Sequence, residues 1–208
     1  MMNQTLSVHM STVQSTKDRI LASAMRLLDS GGPGAVTLRA VGDATGITQS
    51  APYRHYEDKR ALLEAMVRAN LDYFDAALEK AKRDAPSPFG ALDRLVRAYF
   101  DFARRFPLRY RFLLEVSRED GTLGAEVRQA FEAVLSLVLA AQQAGELKGG
   151  DAEQVSALIF GAAYGMAELA QHGLASAGTR EGRTSDAAPD LAPLLLDLLA
   201  GASARREA

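Results

Sequence analysis

Apolar residues recur every three or four positions along almost the whole chain, and no segment alternates apolar and polar residues as a β-strand would. The pattern predicts about nine helices and an all-α fold. Short breaks separate them: the clearest are GGPG at 31–34, APSP at 85–88 and the proline at 107. Thr16, Thr37, Asp58 and Asp151 are the predicted N-caps.

The composition limits the class of protein. At 208 residues with 48% hydrophobic content, the chain can bury a substantial core as one large domain or two small ones. It has no cysteine, so disulfides, zinc–thiolate sites and cysteine nucleophiles are excluded. Residues 1–15 lack the pattern of a secretion signal and are predicted to be a flexible tail. With no apolar run long enough to span a bilayer, we expect a cytoplasmic protein without a membrane partner.

The charge is distributed unevenly along the chain. Residues 1–60 hold seven basic and five acidic side chains, whereas the remainder is acidic, and the whole chain carries a net charge of −2. This is a mild asymmetry between a cationic N-terminal part and an anionic remainder.

The stretch TLRAVGDATGITQSAPYRHYEDK, residues 37–59, has the spacing of a helix-turn-helix. Leu38, Val41 and Ala44 are expected to face inward on the first helix, and Gly46 supplies the turn. A further helix is predicted from Thr48 to about Tyr56. In a helix-turn-helix, the second helix enters the major groove of DNA.

The polar residues of this stretch suit DNA contacts. Gln49 and Ser50 lie in the first turn of the predicted second helix, where side chains reach base edges. Tyr56 is near a helix end, which suits phosphate contacts. The full predicted DNA-binding set is Thr37, Arg39, Thr48, Gln49, Ser50, Tyr53, Arg54, His55 and Lys59. The same spacing also occurs in helical proteins that do not bind DNA, with Tyr53 in the core and His55 on the surface.

Residues 16–68 resemble the N-terminal domain of the TetR-type family of transcriptional repressors. The resemblance lies in RILASAMRLLDSGG, AVTLRAVGDATGIT and YRHYEDKRALL, which keep the family's order and spacing. Gln49 stands where the family often has Lys or Arg, and Ser50 where it often has Gly or Ala, which bears on the operator that is read. The resemblance implies a DNA-binding head (residues 16–60) and a ligand-binding, dimerising body (61–208).

The resemblance also implies partners for the body. In the family, the last two helices, here about 151–176 and 188–203, form a four-helix bundle with their copies in a homodimer; a monomeric core would use the same apolar faces. The middle helices of the family enclose a small-molecule effector. The aromatic residues predicted to line that pocket, or only to fill a core, are Tyr99, Phe102, Phe106, Tyr110, Phe131, Phe160 and Tyr164.

The sequence contains no nucleophile elbow, phosphate-binding glycine loop or dinucleotide fingerprint, so no enzyme and no cofactor are predicted. Glu168 and His172, four residues apart, could share a metal but fit a surface or interface contact better. The predicted function is a ligand-responsive transcriptional repressor that binds a palindromic DNA operator as a dimer. The alternative is a helical small-molecule-binding or interaction protein without specific DNA binding.

Overall fold

The computed structural model describes residues 15–119, 121–147, 150–172 and 191–201. Within these ranges the chain is all-helical, as the periodicity predicts, with eight α-helices and one 3₁₀ turn. The α-helices are α1 (Thr16–Ala35), α2 (Leu38–Thr45), α3 (Lys59–Asp84), α4 (Pro88–Arg105), α5 (Pro107–Val116), α6 (Thr122–Gln143), α7 (Ala152–Gln171) and α8 (Ala192–Gly201). The 3₁₀ turn is Pro52–Arg54. The predicted tail lies outside the described residues except for Ser15.

Side chains cap three of these helices, α2, α3 and α7, at the predicted residues. The backbone N–H of Ala61 donates to the Asp58 carboxylate (2.8 Å), and that of Glu153 to Asp151 (3.0 Å). The prediction of Thr16 as the first cap is wrong by one residue. Ser15 is the cap, because its hydroxyl accepts from the Asp18 N–H while the Asp18 carboxylate accepts from the Ser15 N–H.

The GGPG break acts as a kink, not as a stop. Gly32 has a φ of 69°, which interrupts α1, but the chain resumes a helical turn and ends only at Ala35. The Lys59 ammonium donates to the Pro33 carbonyl at 2.9 Å. A glycine conformation and one cation therefore fix the corner between α1 and the start of α3.

The core is centred on α4, which packs against α3, α5, α6, α7 and α8. Its buried residues are Ala91, Leu92, Leu95, Val96, Tyr99, Phe100, Phe102 and Ala103. The buried cluster continues without interruption into α1, because α1 packs against both α3 and α5. No described helix is both long and apolar enough to cross a membrane.

Candidate DNA-binding surface and effector region

The turn after α2 is built as a helix-turn-helix requires. The N–H of Ala40 donates to Thr37 Oγ1 at 3.1 Å, which starts α2. Gly46 ends it with a φ of 70°, a left-handed conformation that favours glycine. Ile47 is partly buried against the core.

Gly42 lies where α2 meets the segment that follows the turn. A Cβ added at Gly42 would meet the backbone of Gln49 at 3.4 Å and the ring of Pro52 at 3.5 Å. These are ordinary van der Waals distances, so the recognition segment, residues 48–56, lies directly against α2 at Gly42, and an alanine would also fit there. Ala44 was expected to face inward, but it is exposed, because the inward face of this short helix is already filled by Leu38 and Val41.

The recognition segment is not the α-helix that was predicted from Thr48 to Tyr56. Its backbone forms successive three-residue turns: Ala51 N–H donates to the Thr48 carbonyl (2.9 Å) and Arg54 N–H to that of Ala51 (3.1 Å). Pro52 has no N–H to donate and is itself buried against α2. The segment is therefore a series of tight helical turns, with its side chains exposed except for Ala51, Pro52 and Tyr56.

The structure places all nine predicted DNA-binding residues on the surface of the head: Thr37, Arg39, Thr48, Gln49, Ser50, Tyr53, Arg54, His55 and Lys59. Tyr53 is 57% exposed, which rules out a place for it in the core of this chain. The Gln49 amide lies 3.4 Å from the Asp43 carboxylate, and the Thr48 and Ser50 hydroxyls lie 3.4 Å apart. These polar groups form one exposed cluster beside α2.

Tyr56 does not belong to this surface. It is only 4% exposed and packs under α1, where the Lys17 ammonium lies 5.9 Å from the centre of its ring. Burial, followed by the nearby Asp18 carboxylate, raises the pKa of its hydroxyl. The expectation of a phosphate contact from Tyr56 is wrong, because its ring is needed to join the recognition segment to α1.

The seven aromatic residues predicted to line an effector pocket fall into three places. Tyr99, Tyr110, Phe131 and Phe160 form an inner cluster in the core of the body, with the rings of Phe131 and Phe160 4.9 Å apart. Phe102 and Phe106 instead line a groove of about 360 Å³ between α1, α3, α4 and α5, which we call the junction groove. Tyr164 is 42% exposed on α7.

Within the inner cluster, two buried tyrosines differ in hydrogen bonding. The Tyr99 hydroxyl donates to the Ala130 carbonyl at 2.7 Å. The Tyr110 hydroxyl is buried and has no hydrogen-bond partner among the described residues. Burial raises the pKa of both hydroxyls, and for Tyr99 the neighbouring Tyr110 and Asp75 add to the rise.

An ion pair that the sequence did not suggest joins head and body. Arg109 at the start of α5 donates to the Asp29 carboxylate of α1 through Nε (2.7 Å) and Nη2. Its guanidinium carbon lies 4.2 Å from the centre of the Phe106 ring. Both charged side chains are less than a third exposed, so water screens this pair less than a surface pair.

Glu168 lies between an arginine and a histidine. Its carboxylate lies 3.1 Å from Arg111 Nε and 3.6 Å from His172 Nε2. Among the described residues there is no group of three or more histidine, aspartate or glutamate side chains that could hold a metal ion. The contact interpretation of the pair Glu168 and His172 therefore fits the geometry.

The fold and the exposed cluster define a helix-turn-helix protein with a helical body. The chain belongs to the TetR family of bacterial regulatory proteins, whose N-terminal domain model matches residues 20–66. A second model, for a tetracycline repressor-like C-terminal domain, matches residues 92–190.

One curated relative is the HTH-type transcriptional repressor KstR2 of Mycolicibacterium smegmatis, 29% identical over 87 residues. That match covers 42% of this chain and 42% of the relative, so less than half of the relative's length is spanned.

Two solved structures have a similar fold. The TetR family regulator PfmR from Thermus thermophilus is 20% identical with a TM-score of 0.68, covering 90% of this chain and 97% of that one. AibR, solved in complex with isovaleryl coenzyme A and operator DNA, is 18% identical with a TM-score of 0.68, covering 88% and 97%. At these identities the likeness shows the fold alone.

Proposed function

We propose that this protein is a ligand-responsive transcriptional repressor that binds a palindromic DNA operator as a homodimer. The observation that carries the proposal is the exposed polar cluster of the recognition segment, which packs against Gly42 of α2 through the buried Pro52. In this arrangement Gln49 and Ser50 contact base edges in the major groove, while Thr37 and Arg54 contact phosphates. AibR, a protein of similar fold, was solved with operator DNA, which supports this assignment.

Lys59 has a double role in this proposal. One of its N–H groups is used by the Pro33 carbonyl, which leaves two donors on an exposed ammonium at the start of α3. It contacts a phosphate and at the same time holds the corner of α1. For that reason Lys59 is a poor residue for testing DNA contacts alone.

The dimer is proposed to form through α7 and α8. In a single chain these helices expose a row of large apolar side chains: Leu158, Tyr164, Leu169, Leu194 and Leu198, between 42% and 59% exposed. A Cβ added at Gly161 or Gly165 would meet no atom within 4 Å, so this face is open in the isolated chain. Exposed large apolar side chains on both helices support burial against a second copy. The predicted ends of these helices, 173–176, 188–190 and 202–203, lie outside the described residues.

Pairing two copies also gives operator specificity. One recognition segment contacts only a few base pairs, whereas two held about 34–36 Å apart contact both halves of a palindrome. The small-molecule effector is proposed to bind among the aromatic residues of the body. AibR, with its bound isovaleryl coenzyme A, supports a ligand in this fold, while the identity of the ligand here is an independent question.

The test is to select operator DNA from a random duplex library and to measure the affinity of point variants for it. We expect Gln49→Ala to lose about 1–3 kcal/mol of preference at one base position in each half-site. Tyr53→Ala should weaken binding to every sequence. Gln143→Ala, the same change at an exposed position at the end of α6, is the matched control and should bind as the wild type does.

Sedimentation or light scattering on the same samples should give a dimer for all of these variants. If library selection yields no preferred sequence and binding is weak for every duplex, the protein is a helical ligand-binding or interaction protein and the repressor proposal fails. If Gln49→Ala keeps the wild-type preference at every position, Gln49 does not contact bases.

A further inference from the structure

The junction groove lies on the boundary between head and body, and no described side chain fills it. We propose that it is the effector site, and that the effector is an uncharged, mainly apolar molecule carrying a hydroxyl or carbonyl oxygen. This inference rests on the proposed function, because it assigns a place and a chemistry to the effector. At about 360 Å³ the groove lies at the small end of the range of ligand sites.

The walls of the groove are mostly apolar and are supplied by both parts of the molecule. Leu21, Ala22 and Met25 of α1 form the side that belongs to the head. The opposite side is aromatic: the Phe102 ring lies 5.4 Å from that of Tyr73 and 5.5 Å from that of Phe106. Tyr73 is 43% exposed, so its ring surface is available to a ligand. A flat apolar molecule fits between these two walls.

Asn70 gives the groove one hydrogen-bond acceptor. It is only 3% exposed, and its Nδ2 donates to the Met66 carbonyl at 2.8 Å. Its Oδ1 has no hydrogen-bond partner among the described residues. This amide oxygen can therefore accept a hydrogen bond from a ligand hydroxyl.

Arg109 gives the groove one hydrogen-bond donor. Its Nε and Nη2 are used by Asp29, whereas Nη1 has no partner within the described ranges. A ligand carbonyl or hydroxyl oxygen can accept from Nη1 without breaking the ion pair with Asp29. The two polar atoms therefore match a molecule with one or two oxygens on an apolar frame.

The local charge favours an uncharged molecule over an acid. Asp29 already neutralises Arg109, and Asp18, which also lines the groove, adds a further negative charge. A ligand carboxylate would lose its hydration on binding. It would gain little from Arg109, because Asp29 already neutralises that charge. An uncharged oxygen has a much smaller desolvation penalty and can use the same two hydrogen-bonding atoms.

Position makes this groove suitable for regulation. A molecule wedged between α1 and the helices of the body binds with different affinity to each orientation of the head. By linkage, such a ligand must alter operator affinity by the same factor by which the operator alters ligand affinity.

The experiment is calorimetric titration of the full chain, without DNA, with three probes of similar shape near neutral pH. These are 2-naphthol (hydroxyl), 2-tetralone (carbonyl) and naphthalene-2-carboxylate (acid). We expect 2-naphthol and 2-tetralone to bind once per chain, and the carboxylate to bind at least tenfold more weakly. Ala22→Leu narrows the groove and should weaken both uncharged probes at least about tenfold. Ala125→Leu, an exposed position on α6, is the matched control and should leave both affinities unchanged.

Asn70→Leu separates the two uncharged probes. It removes the acceptor but keeps the side-chain volume, so 2-naphthol should bind about three- to tenfold more weakly, as the loss of one neutral hydrogen bond predicts. The affinity for 2-tetralone, which has no donor, should stay within about twofold. A general loss of structure would weaken both probes equally.

The proposal is overturned if neither uncharged probe binds at its solubility limit, if the carboxylate binds as tightly as they do, or if Ala22→Leu binds them as the wild type does. It is also overturned if Tyr110→Phe abolishes binding while Ala22→Leu does not, because the ligand then occupies the inner cluster. Since the titration contains no DNA, its failure is distinct from a failure to bind an operator.

Discussion

Replacing tyrosine by phenylalanine is expected to change the stability of the fold differently at the two buried residues Tyr99 and Tyr110. Both are at most 1% exposed, so Tyr→Phe removes only a hydroxyl and leaves the packing of each ring in place. Tyr99 donates a hydrogen bond of 2.7 Å to the Ala130 carbonyl, whereas Tyr110 has no partner among the described residues.

The magnitudes follow from these two environments. Tyr99→Phe should cost about 1 kcal/mol, the net contribution of one neutral hydrogen bond. Tyr110→Phe should cost nothing, or should stabilise by about 1 kcal/mol, because it removes a desolvated hydroxyl that gains no bond in return. For a chain of this length, each kcal/mol corresponds to about 2–4 °C in Tm.

Thermal unfolding followed by circular dichroism tests this, at one fixed protein concentration because the proposed dimer would make the apparent stability depend on concentration. We expect Tyr99→Phe to melt below the wild type and Tyr110→Phe to melt at the same temperature or above. If Tyr110→Phe lowers Tm as much as Tyr99→Phe does, the Tyr110 hydroxyl contributes as much as a bonded one, and its lack of a partner has no energetic consequence.

Two further predictions concern charge. A double-mutant cycle of Asp29→Asn and Arg109→Gln, measured by urea unfolding, should give a coupling free energy of about 1–2 kcal/mol, because the pair is bidentate and partly buried. If the effects of the two single variants simply add in the double variant, the pair contributes nothing to stability. The second concerns alkaline pH. Burial raises the folded-state pKa of Tyr99 and Tyr110 above the ordinary value of 10.0, so their contribution is complete below pH 10.0 and is lost as the pH rises above it. The double Phe variant should therefore lose less stability between about pH 10 and 11 than the wild type; equal losses in the two proteins would contradict this.

Local sequence patterns predicted the helical fold class and several helix boundaries of this molecule. The apolar period specified the helical class, and the caps at Thr37, Asp58 and Asp151 are local signals that the structure confirms. The surface position of the predicted DNA-binding residues also followed, because a polar run beside a glycine turn has few buried places to occupy. Whether these residues bind DNA stays a prediction.

Some side-chain positions could not be predicted from the sequence, because they depend on contacts between residues that lie far apart in the chain. The burial of Tyr56, which was expected to contact a phosphate, was not predicted. Tyr53 and Tyr56 are aromatic residues of one short segment, and only the position of α1 decides which of them is buried. The pair Asp29 and Arg109 is separated by 80 residues, so no local pattern reveals it. Tyr99 and Phe102 lie three residues apart on α4, yet one joins the inner cluster and the other lines the junction groove.

The length of α3 has a mechanical consequence. Its 26 residues form one helix of about 39 Å that starts directly after the recognition segment and ends beside α4. If its far end is held, a tilt of about 5° displaces its first turn by about 3 Å. Two such displacements in opposite directions change the separation of paired heads by about 6–7 Å, roughly a fifth of the 34–36 Å between successive major grooves. A sub-ångström shift close to the held end of α3 is therefore enough to move one head of the proposed dimer out of register with the duplex.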